Sequence, residues 1–337
     1  MKKVTNRFPK KNYVINGAPD FFQRNFTGTV DISIVTPYIC PDRWASTFNS
    51  AWTVVPTIFR STAFPAGSVS EQSIGIQGTP TADNSGTRIS LEYRIESKDA
   101  LNFLNNEGFL AFDWLSSANS GAGNTVRVGF LTADVTDDFS AVTEFEFVNF
   151  NPVNDGSFAQ FKHNVRSIPA TVNRGLVIQF LWSNLDAGVN VSANLAQVSF
   201  NVGRLYTGFR RAGGGELEAE LALCQRYYEK SYDVNTNPQT GGGQPGSSHW
   251  RSPSTAGGGA FTIADVYKVT KRATPTVILY STVGAPATPN TVRDESGGGA
   301  DIPATASFIG DRSHVPLHAI SNNSPYGWHW TADAETL

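Results

Sequence analysis

His314 and His318 have the four-residue spacing that often begins a metal site. Pro316 lies between them, so no helix can set both rings on one face. No metal is expected there. Glycoside cleavage needs two carboxylates flanking one bond. Glu144 and Glu146 share a strand face, and Asp134, Asp137 and Asp138 crowd a turn. A solvated strand face and an ordinary polar loop are the plainer readings and are preferred. Asp137 and Asp138 could lend oxygens to calcium, but no calcium-loop spacing accompanies them. The GxxxxGK[ST] phosphate loop, a Rossmann fingerprint after a strand, HExxH and the GxSxG elbow are all missing. The expectation is a protein that is not an enzyme, with no catalytic residue, no metal and no cofactor.

The aromatic residues carry more. Trp328 and Trp330 stand two apart in a strand candidate, so both rings project to one face and His329 to the other. Trp250 follows His249 inside a Gly/Pro-rich stretch. An aromatic face can serve as a platform for the CH-rich face of a sugar. Trp250, His249, Trp328 and Trp330 are therefore the ligand-binding candidates. For Trp328 and Trp330 core or subunit packing is the stronger reading.

Strands must position these rings. Only 16% of the 337 residues are charged, while Gly (31), Pro (18) and Phe (22) are abundant. That composition fits many strands joined by polar turns rather than a helical bundle. Arg88 to Glu96 alternates with period two, placing Ile89, Leu91, Tyr93 and Ile95 inward and Arg88, Ser90, Glu92, Arg94 and Glu96 outward. Thr125–Phe130 and Glu144–Phe147 repeat the pattern. Gly175–Trp182 is nearly continuous in apolar residues and suits a central strand, and 194–206 supplies another. Eight to ten such strands over residues 16–212 predict a mainly β fold, a jelly-roll β-sandwich.

A helix is predicted over 216–230, with Glu216, Glu218 and Glu220 early and Arg226 and Lys230 late, as the helix dipole favours. Leu217, Leu221, Cys224 and Tyr228 would form one apolar stripe, packed on the neighbouring unit or between copies of the chain. Residues 213–260 then comprise this helix and a Gly/Pro-rich linker. A small C-terminal β domain follows over 261–337, with strand candidates at 260–263, 275–280 and 326–330 and a loop from Gly284 to Asp301.

Residues 1–15 read as an arm. Lys2, Lys3, Arg7, Lys10 and Lys11 cluster there and could dock on a partner. No apolar run follows this basic start, so a secretory signal is not expected. A net charge of −3 gives no bulk attraction to nucleic acid or to an anionic membrane, and no run of 18 apolar residues exists for insertion. Cys40 and Cys224 lie far apart and are expected as two free thiols.

Several segments follow one another in a telling order. Asn16-Gly17 precedes Gln23-Arg24, then Pro41-Asp42-Arg43-Trp44, then Arg94-Ile95-Glu96-Ser97. Residues 220–230 read E-L-A-L-C-Q-R-Y-Y-E-K, and Arg272-Ala273-Thr274-Pro275-Thr276-Val277 and Trp330-Thr331-Ala332-Asp333-Ala334-Glu335 complete the series. Together they resemble β-rich structural proteins of tailed bacteriophages and prophages, with Tyr93 where that family has Gln. The resemblance implies a jelly roll similar to carbohydrate-binding modules, a role as a tail fibre, receptor-binding tip or head appendage, and an oligomer, often a trimer. It implies other virion proteins and a host cell-surface glycan as partners, and assembly in the bacterial cytoplasm with release by lysis. It brings no catalytic motif. The chain lacks an extended repetitive shaft, which suits a compact tip or a decoration rather than a whole fibre. A capsid decoration or head fibre is the second reading, and a polysaccharide depolymerase the third.

Overall fold

The computed structural model describes residues 11–24, 29–32, 41–49, 52–81, 84–121, 123–206, 208–253, 263–284, 286–296, 299–319 and 323–335. Lys2, Lys3, Arg7, Lys10 and Cys40 lie outside the described residues, as does the strand candidate at 260–262.

Among the described residues, eleven strands precede residue 203: β1 (Thr29–Asp31), β2 (Trp44–Phe48), β3 (Trp52–Ser61), β4 (Ser73–Pro80), β5 (Asn84–Ile95), β6 (Gly108–Ser116), β7 (Thr125–Val135), β8 (Asp138–Phe150), β9 (Ala159–Val165), β10 (Leu176–Leu185) and β11 (Val191–Val202). They form a six-stranded sheet, β1-β3-β4-β11-β6-β9, and a five-stranded sheet, β2-β5-β10-β7-β8. Every pairing is antiparallel. This is the expected jelly-roll sandwich. The alternation in β5 is real: Ile89, Leu91, Tyr93 and Ile95 are buried in one core with Phe112, Trp114, Phe180 and Trp182. Strand β10 is central, as its apolar run predicts, and pairs β7 in unbroken register from Leu176 to Ser183 and β5 up to a register shift between Ser183 and Leu185. Its outward Val177 is covered too, by Leu131, Ala133 and Phe139.

Residues 11–24 run along the sandwich and are tied to it at several points, Asn16 among them. Asn16, in the left-handed region at φ 56°, donates through Nδ2 to the carbonyls of Phe21 and Asp42 and accepts from Phe21 N. Its backbone N–H donates to Glu220 at 2.5 Å. Gly17 lies so close to Val198 O that a Cβ would overlap it, so only glycine fits.

The helix is shorter than its sequence suggests. Beside a single turn, α1 (Ser97–Ala100), the chain carries α2 (Leu217–Gln225), and Tyr228–Lys230 is a strand, β12. The last residues of the apolar run leave the helix because strand pairing with Thr331–Asp333 offers them a full set of partners. The stripe Leu217-Leu221-Cys224-Tyr228 therefore does not form. Leu217 is 44% exposed, Leu221 half-buried, Cys224 buried, and Tyr228 belongs to another element. The buried face of α2 is Glu220, Cys224 and Gln225. Burial raises the Glu220 carboxyl, and the Gly213 and Asn16 N–H groups partly offset that by donating to it.

The C-terminal sheet takes in what the sequence assigns to a helix and a linker. Its strands are β12, β13 (Ser248–Arg251), β14 (Asp265–Val266), β15 (Thr276–Gly284), β16 (Ala287–Pro289), β17 (Thr291–Asp294), β18 (Ala300–Ser307), β19 (Ser313–His318) and β20 (Pro325–Asp333). Strands β12, β13, β15 and β17 all pair with β20. The expected loop at 284–301 holds β16 and β17, because Asn290 at φ 56° turns the chain back into the sheet. Ile263, the described end of the 260–263 candidate, is in no strand.

The seam between sandwich and C-terminal sheet is dense in paired charge. Arg24 donates to Asp333 at 3.0 Å, Arg43 to Glu335 at 2.9 Å, and Arg226 and Arg272 lie 3.0 and 2.8 Å from Glu96. Glu96 is thus buried at the seam, not outward and solvated. Arg43 lies 3.5 Å from the Tyr227 ring centre and Arg24 4.1 Å from that of Tyr228. Lys271 and Glu229 form a fully buried pair. Lys230 Nζ donates to three carbonyls, of Gln23, Val234 and Thr236, at 2.8, 2.9 and 2.6 Å.

Candidate functional site

A groove of about 690 Å³ lies on the outer face of the six-stranded sheet. Its floor is Asp113 and Leu115 of β6 and Gln160 of β9; its walls are the turn at 62–66 and the turn at 156–158. The floor follows from strand alternation. Phe112 and Trp114 point into the core, so Asp113 and Leu115 point out. Both walls are pinned. Ser73 Oγ donates to Ala63 O at 2.6 Å, and Gly156 N, at φ 75°, donates to Ser116 O at 3.2 Å. Phe64, 41% exposed, stands on one wall and Phe158 on the other.

Asp113 is only 4% exposed. Burial raises its carboxyl, while the Gln197 and Gln160 amides and the Lys162 charge act the other way. Gln197 Nε2 donates to it at 2.7 Å. Gln197 reaches that position from a bulge: the β6–β11 register shifts between Ala196 and Ser199, and Gln197 sits at φ 47°. The bulge is held from behind by Val198 N donating to Gly17 O at 2.8 Å and Asn12 Nδ2 donating to Val198 O. Gln160 Nε2 also reaches the Tyr206 hydroxyl at 3.3 Å, and the Tyr206 ring stacks on Phe109. A buried acceptor, planar amides and flanking rings form a surface able to take hydroxyl hydrogen bonds and apolar sugar faces together.

None of the sequence-selected binding residues lies here. Trp328 and Trp330 are 1% and 5% exposed and belong to the C-terminal core with Tyr267, Leu279 and Tyr326. They are not platforms; strand β20 is central and covered on both faces. His329, on the opposite face, stacks on Tyr232 at 3.9 Å. Trp250 is half-buried, one face stacked on Tyr326. His249 is exposed and lies 3.3 Å from Glu295, with its other nitrogen 2.7 Å from Ser247 Oγ. Leu217 and Leu221 border a different hollow of about 380 Å³, beside Phe21, Arg60 and Val234. Lys11 pairs with Asp99 at 2.9 Å on the sandwich surface. Cys224 is a buried free thiol.

The carboxylates considered for catalysis are each engaged by neighbouring side chains or backbone N–H groups. Arg127 donates to Glu144 at 2.5 Å, and Glu146 lies 2.7 Å from His163. Asp134 accepts from Thr143, Asp137 from the N–H and hydroxyl of Ser97, and Asp138 from Ser140 N. His314 and His318 share a buried strand face in β19. Among the described residues no group of three or more His, Cys, Asp or Glu side chains could hold a metal ion. No described helix is long and apolar enough to cross a membrane.

Sequence reasoning missed Phe64, Asp113, Phe158, Gln160 and Gln197. One signal was present. Asp113 is the single charge inside the run Gly108-Phe109-Leu110-Ala111-Phe112-Asp113-Trp114-Leu115, where an unpartnered carboxylate would be costly.

No family model and no curated protein sequence matches the chain. Among solved structures, the enzymatically active domain of tailspike protein 4 from bacteriophage CBA120 aligns over 57% of this chain at 12% identity and a TM-score of 0.33, and the chain spans 21% of that protein. The TmCBM61 structure in complex with β-1,4-galactotriose aligns over 57% of this chain and 99% of its own, at 10% identity and 0.34. The CBM22-1 xylan-binding domain of Paenibacillus barcinonensis Xyn10C aligns over 48% and 87%, at 11% and 0.28. These scores are too low to carry an argument; the chain is weakly similar to a phage tailspike domain and to carbohydrate-binding modules.

Proposed function

We propose that this chain is a phage virion structural protein, a tail-fibre or tail-tip appendage that grips a host-surface glycan in the groove around Asp113. The recognition half rests on the groove: a buried acceptor fixed by Gln197 and Gln160, between Phe64 and Phe158. The virion half rests on the ordered sequence matches from Asn16-Gly17 to Glu335. The chain in this reading binds without cleaving, with Asp113 as a hydrogen-bond acceptor at the groove floor. In this reading the protein is made in the bacterial cytoplasm, leaves by lysis, and is a homotrimer whose repeated sites turn weak single-sugar affinity into firm attachment. The basic arm with Lys2, Lys3, Arg7, Lys10 and Lys11 docks it to the particle.

Gold-labelled antibody against residues 261–337, applied to intact virions that carry the chain, tests this. Label at the distal tail, with adsorption lost on deletion of the chain, is the expected result. Label spread over the head refutes the tail-tip role and leaves a capsid decoration.

A further inference from the structure

We infer that the groove selects uncharged sugars and rejects acidic ones such as uronates, sialic acids and phosphorylated units. This rests on the glycan-recognition reading above and adds a substrate class to it. Three observations carry it. Asp113 is a desolvated carboxylate at the groove floor, with lone-pair positions left over after Gln197 and Gln160 take theirs. Those positions accept hydrogen bonds from hydroxyl or N–H groups and from nothing else. Among the described residues no Lys, Arg or His lines the groove. The cation that Asp113 does sense, Lys162, has its ammonium 4.8 Å from the centre of the Tyr206 ring, beside the groove rather than in it.

A sugar acid seated on this floor would put a second negative charge against Asp113 with no cation in the lining to answer it. Two like charges roughly 6 Å apart at an effective dielectric of about 20 correspond to a penalty of about 100-fold in affinity. The rest of the lining favours neutral rings. Phe64 and Phe158 offer apolar faces on opposite walls, and the Thr62 and Ser157 hydroxyls can donate or accept.

The test is affinity electrophoresis of the full chain in gels holding one polymer each: dextran, β-1,4-galactan or starch as neutral probes, polygalacturonate or polysialic acid as acidic ones. Retardation by a neutral polymer, with acidic polymers about 100-fold weaker, is expected. Phe64→Ser, an exposed position, should cut neutral binding at least about tenfold with the melting temperature unchanged. Asp113→Asn should narrow the neutral-to-acidic ratio at least about tenfold, a shift that a merely structural role would not give. Acidic polymers bound as tightly as neutral ones would overturn the selectivity and leave glycan recognition standing. Neutral binding indifferent to both substitutions would overturn the groove as its seat. No retardation by any of the five polymers would overturn the recognition reading and the inference together.

Discussion

Glu96→Gln isolates the electrostatics of the seam. Burial alone would raise the Glu96 carboxyl, but the Arg272 and Arg226 guanidiniums, at 2.8 and 3.0 Å, reverse that and hold it at about 2 against an ordinary 4.5. Lys98 also contributes, though its side chain is 57% exposed and water screens it. Moving a carboxyl from 4.5 to about 2 corresponds to about 3 kcal/mol, at about 1.4 kcal/mol for each tenfold change. The folded value is depressed, so this stabilisation is present in full above the unfolded value of 4.5 and disappears as the pH falls towards 2. The substituted amide keeps the shape and loses the charge, leaving two guanidiniums facing each other. Urea unfolding of the variant should show a loss of about 3 kcal/mol at pH 7 and only about 1 kcal/mol at pH 3. A loss of the same size at both pH values would mean that Glu96 acts by packing, and would refute the electrostatic account.

Other consequences separate by window and by site. Burial holds His314 and His329 at about 4 against an ordinary 6.5. Unfolding restores their proton affinity, so stability should fall as pH drops from 6.5 to 4, before most of the Glu96 contribution is touched. His329→Phe keeps a ring on Tyr232 and should flatten that part of the melting profile; an unchanged profile counts against it. Trp330→Ala opens a cavity beside Tyr267 and His314 and should cost about 3–5 kcal/mol in denaturant unfolding. Trp250→Ala, at a half-buried ring with one stacking partner, should cost less than about 2 kcal/mol. Equal losses would mean that Trp250 is core. Gly17→Ala forces a Cβ onto Val198 O, so it should lower the melting temperature and, by loosening the Gln197 bulge, weaken glycan binding. A variant with normal binding would show that the bulge tolerates movement.

The sandwich was legible because period-two alternation in β5 and the apolar run of β10 are local signals that burial then honours. The helix end was not, because its outcome depends on a partner about 100 residues away. Tyr228 pairs with Asp333, and nothing in residues 216–230 announces that strand. The same holds for His249 and Trp250, which gain a strand only through Gly327 and Tyr326. Gly and Pro around them read as a linker because local propensity omits a distant edge. Trp328 and Trp330 were correctly placed on one face, but sequence could not show that this face closes on Tyr267 and His314. The groove was the least legible feature. Phe64, Asp113, Phe158 and Gln197 come from four separate segments and meet only through the β4–β11, β6–β11 and β6–β9 pairings.

The residues that carry the family resemblance meet in space, although they are spread from Asn16 to Glu335. Asn16, Gln23, Arg24, Asp42, Arg43, Glu96, Glu220, Arg226, Tyr227, Arg272, Asp333 and Glu335 all lie at the seam or hold the segment that feeds it. Buried charges tolerate few substitutions, because removing one partner strands the other. The groove obeys the opposite logic. Its walls are surface turns pinned to β4 and β6, and its floor touches the segment that feeds the seam, through Gln197, Val198 and Gly17. Phe64 and Phe158 can therefore change without disturbing the seam. The ordered motifs accordingly mark the joint between the two β units, and the turns that carry Phe64 and Phe158 lie outside them.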